Sequence, residues 1–315
     1  KRKIAVLGTG NVGATIAYTL AMQGVASEIL LVDINKEKAE GEALDISQCA
    51  ACAPSCKIWS GEYEDVKDSD IVIVTFGVGR KPGQSRLDLA KINVGILKSV
   101  MPNVAKIAPK ALYIIVSNPV DVLTYVTLKC TNLSKNQVIG TGTLLDSNRL
   151  SQAVASYCKV DTSSVNAYVL GEHGDACMAP WSLCTVGGVP VKTYAKKILK
   201  VSKEGIDSEL EGIYTGMVQS GAKVIQAKGA TYYAIAASVV KLVKALLSDS
   251  DAILPLSTLL KGEYGAKDMC MGVPCIVNAS GLKQIVKLPL DKEEGKLFAE
   301  KIASLDATYN ALEIR

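Results

Sequence analysis

Near the start of the chain a short apolar run, Ile4–Leu7, leads into Gly8-Thr9-Gly10-Asn11-Val12-Gly13, and a helix-compatible stretch follows to Met22. A second apolar run, Glu28–Val32, ends in Asp33, 20 residues past Gly13. Three glycines at this spacing mean little alone, but between a strand and a helix they restrict the fold severely. The first glycine permits a tight turn, the second lets a pyrophosphate approach the backbone, and the third lets the helix pack on the sheet. Free N–H groups at the helix start then face the anion. An acidic residue at the tip of the second strand accepts hydrogen bonds from ribose hydroxyls and repels a 2′-phosphate, which favours NAD over NADP. Gly8, Gly10, Asn11, Val12, Gly13 and Asp33 are therefore the first candidate cofactor-binding residues.

The rest of the first half continues the alternation. Lys36–Cys49 and Leu87–Ile107 read as helices, and Ile71–Phe76, Leu112–Val116 and Gln137–Gly140 as strands. Apolar runs without alternation belong to strands buried on both faces. The expectation is a doubly wound parallel sheet of the Rossmann type, with Thr75 and Gly77 beside the cofactor at a strand's carboxyl end. The second half reads as α+β. A helix from Asp146 to about Cys158 precedes short strands around Val165–Leu170 and Trp181–Val186, and a long helical stretch runs from about Ser202 to Leu247, interrupted near Gly229. Strands around Ile253–Tyr264 and Gly272–Val277 follow, and Asp291 with Glu294 has capping-box spacing before a helix to Leu312. A length of 315 residues suits about two domains. The division expected is 1–145 for NAD and 146–315 for substrate.

Composition excludes several other classes. Lys and Arg total 35 against 31 Asp and Glu, a formal net charge of +4, with no basic block interleaved with aromatics. Nucleic-acid binding is not indicated. Apolar runs such as Ala234–Val240 stop at a charge, here Lys241, far short of the ~18 residues a spanning helix needs. With 49% hydrophobic and 21% charged residues, the chain can bury enough surface to fold. The nine cysteines are an odd set without secretory context, so a reduced, cytoplasmic setting is expected. Cys49, Cys52 and Cys56 resemble half a zinc site, but no second pair of matching spacing exists to complete four ligands, and no metal is expected.

The chain contains one histidine, His173, in Leu170-Gly171-Glu172-His173-Gly174-Asp175. It is the only side chain whose ordinary pKa suits proton transfer near neutrality. A lone histidine is usually a hydrogen-bonded structural residue. Here the adjacent glycines suit a loop pressed against a ligand, and a redox cofactor acting on an alcohol or ketone needs a proton partner.

With these motifs in order, and with Ser117-Asn118-Pro119-Val120-Asp121, Leu145-Asp146-Ser147-Asn148-Arg149, Gly77 to Arg86 and Lys228-Gly229-Ala230-Thr231, the sequence resembles the NAD-dependent lactate/malate dehydrogenase family over essentially its whole length. The resemblance implies that His173 is the acid/base, that Asp146 orients and stabilises its ring, and that Arg149 grips the substrate carboxylate. It implies that Arg86 polarises the carbonyl from a loop that closes, that Asn118 bonds substrate or cofactor, and that Thr231 lines the pocket. The family forms dimers and tetramers, so a homo-oligomer, most simply a tetramer, is expected. An activating site for fructose 1,6-bisphosphate in many bacterial relatives needs basic residues where this chain has Ser151 and Asn166, so no such activation is expected.

On substrate, the resemblance points two ways. Gly171–Asp175, Pro180-Trp181-Ser182 and Thr231 with Ile235 look lactate-type, whereas Arg80 stands where malate enzymes carry Arg and lactate enzymes Gln. A buried arginine facing the methyl of pyruvate would lack a partner, and a buried unpaired charge costs several kcal/mol. Malate/oxaloacetate is the favoured expectation, with L-lactate the alternative. A non-catalytic NAD sensor on the same fold is opposed by the presence of His173, Asp146, Arg149 and Arg86 together.

Overall fold

The computed structural model describes residues 2–79 and 83–315. The first half alternates β1 (Lys3–Leu7), α1 (Asn11–Met22), β2 (Glu28–Val32), α2 (Lys36–Ser47), β3 (Lys57–Ser60), β4 (Ile71–Val74), α3 (Arg86–Ile107), β5 (Leu112–Ile115), α4 (Val120–Cys130) and β6 (Val138–Gly140). These six strands are parallel, in the order β3-β2-β1-β4-β5-β6. β2 and β4 are buried along their full length, as their uninterrupted apolar sequences require. The chain leaves β1 toward β2 on one side and returns beyond it at β4. Crevices that accept ligands form at such a reversal, off the carboxyl ends of the strands.

The second half contains α5 (Leu144–Cys158), β7 (Val165–Asn166), β8 (Leu170–Gly171), β9 (Cys177–Met178), β10 (Thr185–Val186), β11 (Val189–Pro190), α6 (Val191–Lys197), α7 (Lys203–Lys228), α8 (Tyr233–Leu247), β12 (Ala252–Lys261), β13 (Lys267–Asn278), β14 (Gly281–Ile285) and α9 (Lys292–Leu312). Its longer strands extend the first sheet. β12 pairs antiparallel with β6 through Ser257 and Gly140, β13 follows, and β8 joins β13 through Gly171 and Gly272. A second apolar cluster lies under α5, α6 and α7 and includes Leu150, Val154, Leu210 and Met217.

Local details follow from the sequence. Ser85 caps α3 by accepting from the Asp88 N–H, and Asp291 with Glu294 forms the capping box of α9. The stretch from Ser202 to Leu247 is two helices, because Gly229 turns left-handed (φ 84°) and ends α7. Trp181–Val186 is not a strand throughout. Pro180 accepts from the Leu183 N–H to close a single 3-10 turn over Trp181–Leu183, and only Thr185–Val186 pairs in a sheet. β7 and β8 likewise part company, β7 pairing with β10 and β8 joining the large sheet.

Two loop glycines do different work. A Cβ on Gly13 would lie 1.9 Å from the Gly8 carbonyl oxygen, whereas one on Gly10 would meet nothing within 4 Å. Gly13→Ala is expected to lower unfolding free energy by roughly 1–3 kcal/mol, since the helix must back off the strand. Gly10→Ala is expected to cost less than about 1 kcal/mol, the scale of a helix-start substitution. Urea unfolding of the two variants beside the wild type checks the contrast.

Candidate active site

The glycine loop is held from behind. Thr9 is buried, and the Asp33 carboxylate accepts from its main-chain N–H (2.6 Å) and its hydroxyl (3.0 Å). The other Asp33 oxygen accepts from the Asn35 N–H at 2.9 Å. The Thr75 hydroxyl donates to the carbonyls of Leu7 and Gly8, bolting the ends of β1 and β4 together. The start of α1 has no side-chain cap and no acidic residue in its first turn. Its N–H groups and the open space at Gly10 therefore suit the phosphates of a dinucleotide. Asn11 is exposed at the mouth of this cradle and Val12 is half-buried beside it. Asp33 reaches the same mouth from the tip of β2, with Gly77 exposed beyond β4.

His173 sits on a tight excursion between β8 and β9. The Glu172 N–H donates to the Ala176 carbonyl at 3.0 Å, and Gly171 at φ 104° turns the chain into the loop. The ring Nδ1 lies 2.6 Å from Asp146 Oδ2, which comes from the first turn of α5. A carboxylate accepts there, so Nδ1 carries the proton and Nε2 is the free nitrogen of the neutral ring. Burial disfavours the imidazolium, but Asp146 and then Asp121 outweigh it, and the His173 pKa is raised.

Arg149 lies one turn beyond Asp146, its nearer guanidinium nitrogen 3.6 Å from Asp146 Oδ1, and only 17% of its side chain is exposed. Burial lowers its basicity, partly offset by Asp146. Where a Cβ on Gly221 of α7 would sit, the guanidinium nitrogens are 3.6 and 3.7 Å away, so α7 closes over Arg149 with ordinary contact. A guanidinium in this setting can take a carboxylate through two parallel N–H donors.

Arg86, at the first position of α3, pairs with Asp175 at 2.5 Å, both side chains largely exposed. It thus reaches the histidine loop from its outer edge, two residues past His173. Asn118 is exposed after β5, and Thr231 is half-buried in the link between α7 and α8 rather than inside a helix. Arg80 lies outside the described residues. Among the described residues, no group of three or more His, Cys, Asp or Glu side chains is arranged to hold a metal ion. Nor is any helix there long and apolar enough to cross a membrane. Cys177, near His173 in sequence, is buried; that burial pushes its thiol up to about 11, which makes it a poor nucleophile.

Two site residues had no assigned part in the sequence reading. Asn93, on the buried face of α3, accepts from the Val78 N–H (2.9 Å) and donates to the carbonyls of Val78 (3.2 Å) and Asn118 (2.8 Å). Its signal was present: an amide in the apolar stripe Ala90, Val94, Leu97, Met101 needs partners. Asp121, in the first turn of α4, accepts from the His173 main-chain N–H at 2.8 Å and from the Ser257 hydroxyl at 2.6 Å. Nothing local in sequence marks Ser257, which arrives on β12, 136 residues further along the chain.

A dinucleotide cradle together with a histidine–carboxylate pair and a buried arginine defines an NAD-dependent oxidoreductase. Residues 2–140 match the family model for the NAD-binding domain of lactate/malate dehydrogenases, and residues 143–313 match its α/β C-terminal domain. A curated L-lactate dehydrogenase from Clostridium botulinum is 44% identical over 308 residues, covering 98% of this chain and 96% of the relative. L-lactate dehydrogenase 1 of Clostridium acetobutylicum is 42% identical, with 98% of each chain covered. The crystal structure of a minor L-lactate dehydrogenase from Enterococcus mundtii in its ligands-bound form superposes with a TM-score of 0.94 at 40% identity, covering 99% of this chain and 98% of that one. The chain belongs to the lactate/malate dehydrogenase family.

Asn93→Ala removes the shared support of Val78 and Asn118 and leaves backbone groups without partners. The expected cost is roughly 1–3 kcal/mol of stability, the scale of an unsatisfied buried polar group. Thermal unfolding of the variant against wild type measures it.

Proposed function

We propose that the chain is an L-lactate dehydrogenase, interconverting pyruvate and L-lactate. The full-length relatives at 42–44% identity bear that name, and this weighs against the malate preference expected from Arg80. For any 2-keto acid, the reading rests on the 2.6 Å contact between His173 and Asp146 beside the buried Arg149. When bound, NAD would supply the nicotinamide that gives or takes the hydride.

The chain's own residues do the rest. Gly8, Gly10, Gly13, Asn11 and Val12 form the cradle for the cofactor phosphates, flanked by Thr75 and Gly77. Asp33 offers its carboxylate to the ribose hydroxyls. Arg149 binds the substrate carboxylate through two parallel N–H donors, geometry that fixes the orientation of the keto group. Protonated His173 gives its Nε2 proton to the carbonyl oxygen, and Asp146 holds the ring and stabilises the cation. Arg86 leaves exposed Asp175 to stabilise the charge developing on that oxygen. Asn118 hydrogen-bonds substrate or cofactor, and Thr231 shapes the pocket wall. We propose the division of labour as 1–145 for cofactor and 146–315 for substrate, and a homo-oligomer, in keeping with the family resemblance.

Arg80 alone favours a second reading, malate/oxaloacetate, because it can pair with the second carboxylate of that substrate. Steady-state NADH oxidation decides between them. The expected outcome is a larger kcat/KM for pyruvate than for oxaloacetate. A larger value for oxaloacetate, reversed in Arg80→Gln, overturns the lactate reading.

The pH dependence has a fixed sign. Reduction needs imidazolium, and the His173 pKa is raised. Pyruvate kcat/KM is therefore expected to stay level below that pKa and fall as pH rises through it. Lactate oxidation, which needs the neutral ring, rises over the same interval. Profiles in both directions check this.

A further inference from the structure

We propose that Asp121 is a positioning residue for His173, a second carboxylate that fixes the histidine main chain from beneath while its charge supports the imidazolium. The inference deepens the acid–base reading of His173 and rests on it.

Asp121 is 2% exposed, yet both its oxygens are used. Oδ2 accepts from the His173 main-chain N–H at 2.8 Å, and Oδ1 accepts from the Ser257 hydroxyl at 2.6 Å. Two donors aimed at two oxygens suit the ionised form, as does a place in the first turn of α4, where the helix dipole favours negative charge. The Tyr309 hydroxyl lies 3.1 Å from the main-chain carbonyls of both Asp121 and Cys270, which share its one proton. That hydroxyl also accepts from the Cys270 N–H at 3.0 Å. Asp121 is thus fixed by α4, β12 and α9, and it passes that fixity to the backbone of the residue that moves the proton. Asp146 sets the ring, and Asp121 sets the loop that carries the ring.

The arrangement has an electrostatic consequence. Asp146 and Arg149 face His173 from α5, and Asp121 faces it from α4. Asp121 in turn faces Ser257 from β12, Glu172 from the loop, Cys270 from β13 and Tyr309 from α9. Burial holds the Cys270 and Tyr309 protons in place, so neither adds charge. Arg149 opposes the imidazolium; Asp146 and Asp121 favour it. Burial, helped by the Glu172 charge, raises the Asp121 pKa to about 7 against its two donors, and the neighbouring imidazolium favours the carboxylate form.

The test exploits the presence of a single histidine, whose ring resonances titrate without overlap. Asp121→Asn keeps an acceptor for the His173 N–H and removes the charge. The ring pKa, read by NMR in the full-length protein, is expected to drop by roughly half to one pH unit, the low end for loss of one nearby charge. The pH limbs of pyruvate reduction and lactate oxidation should both move to lower pH by the same amount, with NADH affinity unchanged. Asp121→Ser, which also keeps an oxygen and loses the charge, provides the same reading if the asparagine variant does not fold. A ring pKa equal to wild type in whichever variant folds overturns the proposal and leaves Asp121 a helix-start residue. His173→Gln separates the two levels. Turnover near wild type in that variant sinks the acid–base reading, whereas the NMR shift in the Asp121 variants tests the positioning claim independently of turnover.

Discussion

The short hydrogen bond between His173 Nδ1 and Asp146 is the contact around which the rest of the site is arranged. A histidine on a loop has a free ring and an undefined tautomer. Here the ring is tied to the first turn of α5, one helical turn before Arg149. One short helical segment therefore fixes the proton-bearing ring nitrogen and carries the buried Arg149. For that segment to face the cofactor, α5 must begin just where the parallel sheet ends. β6 stops at Gly140 and α5 starts at Leu144, so the chemistry begins within a few residues of the last parallel strand.

Much of this was legible in one sequence because the requirements are local. The turn through Gly8, the close approach at Gly13 and the acidic tip at Asp33 are all demands that a few neighbouring residues satisfy. The same holds for the helix break at Gly229 and the capping box at Asp291, where one or two side chains decide the outcome. His173 and Asp146 were joined through the family resemblance, since 27 residues separate them and no short-range pattern links them.

What was not legible depends on long-range placement. The second half adds strands to the first sheet through a single residue pair, Ser257 with Gly140, and nothing in either segment announces that partner. Trp181–Val186 had strand-like composition but was captured by a turn at Pro180. Arg86 carries its charge to Asp175, a contact across 89 residues that no periodicity reveals. Asn93 and Asp121 occupy ordinary helical positions; their roles appear only once the loops they hold are folded against them.

The continuous sheet limits how the molecule can move. Enzymes built from two separately cored lobes often open and close by swinging one lobe about a flexible strap. Here β6 and β12 are hydrogen-bonded neighbours, and β12 shares a long antiparallel ladder with β13. A swing of one half against the other would shear backbone hydrogen bonds and the apolar cluster that spans both. The frame that carries His173 and the glycine cradle is one sheet, joined across its two halves at Ser257 and Gly140 and backed by one shared apolar cluster.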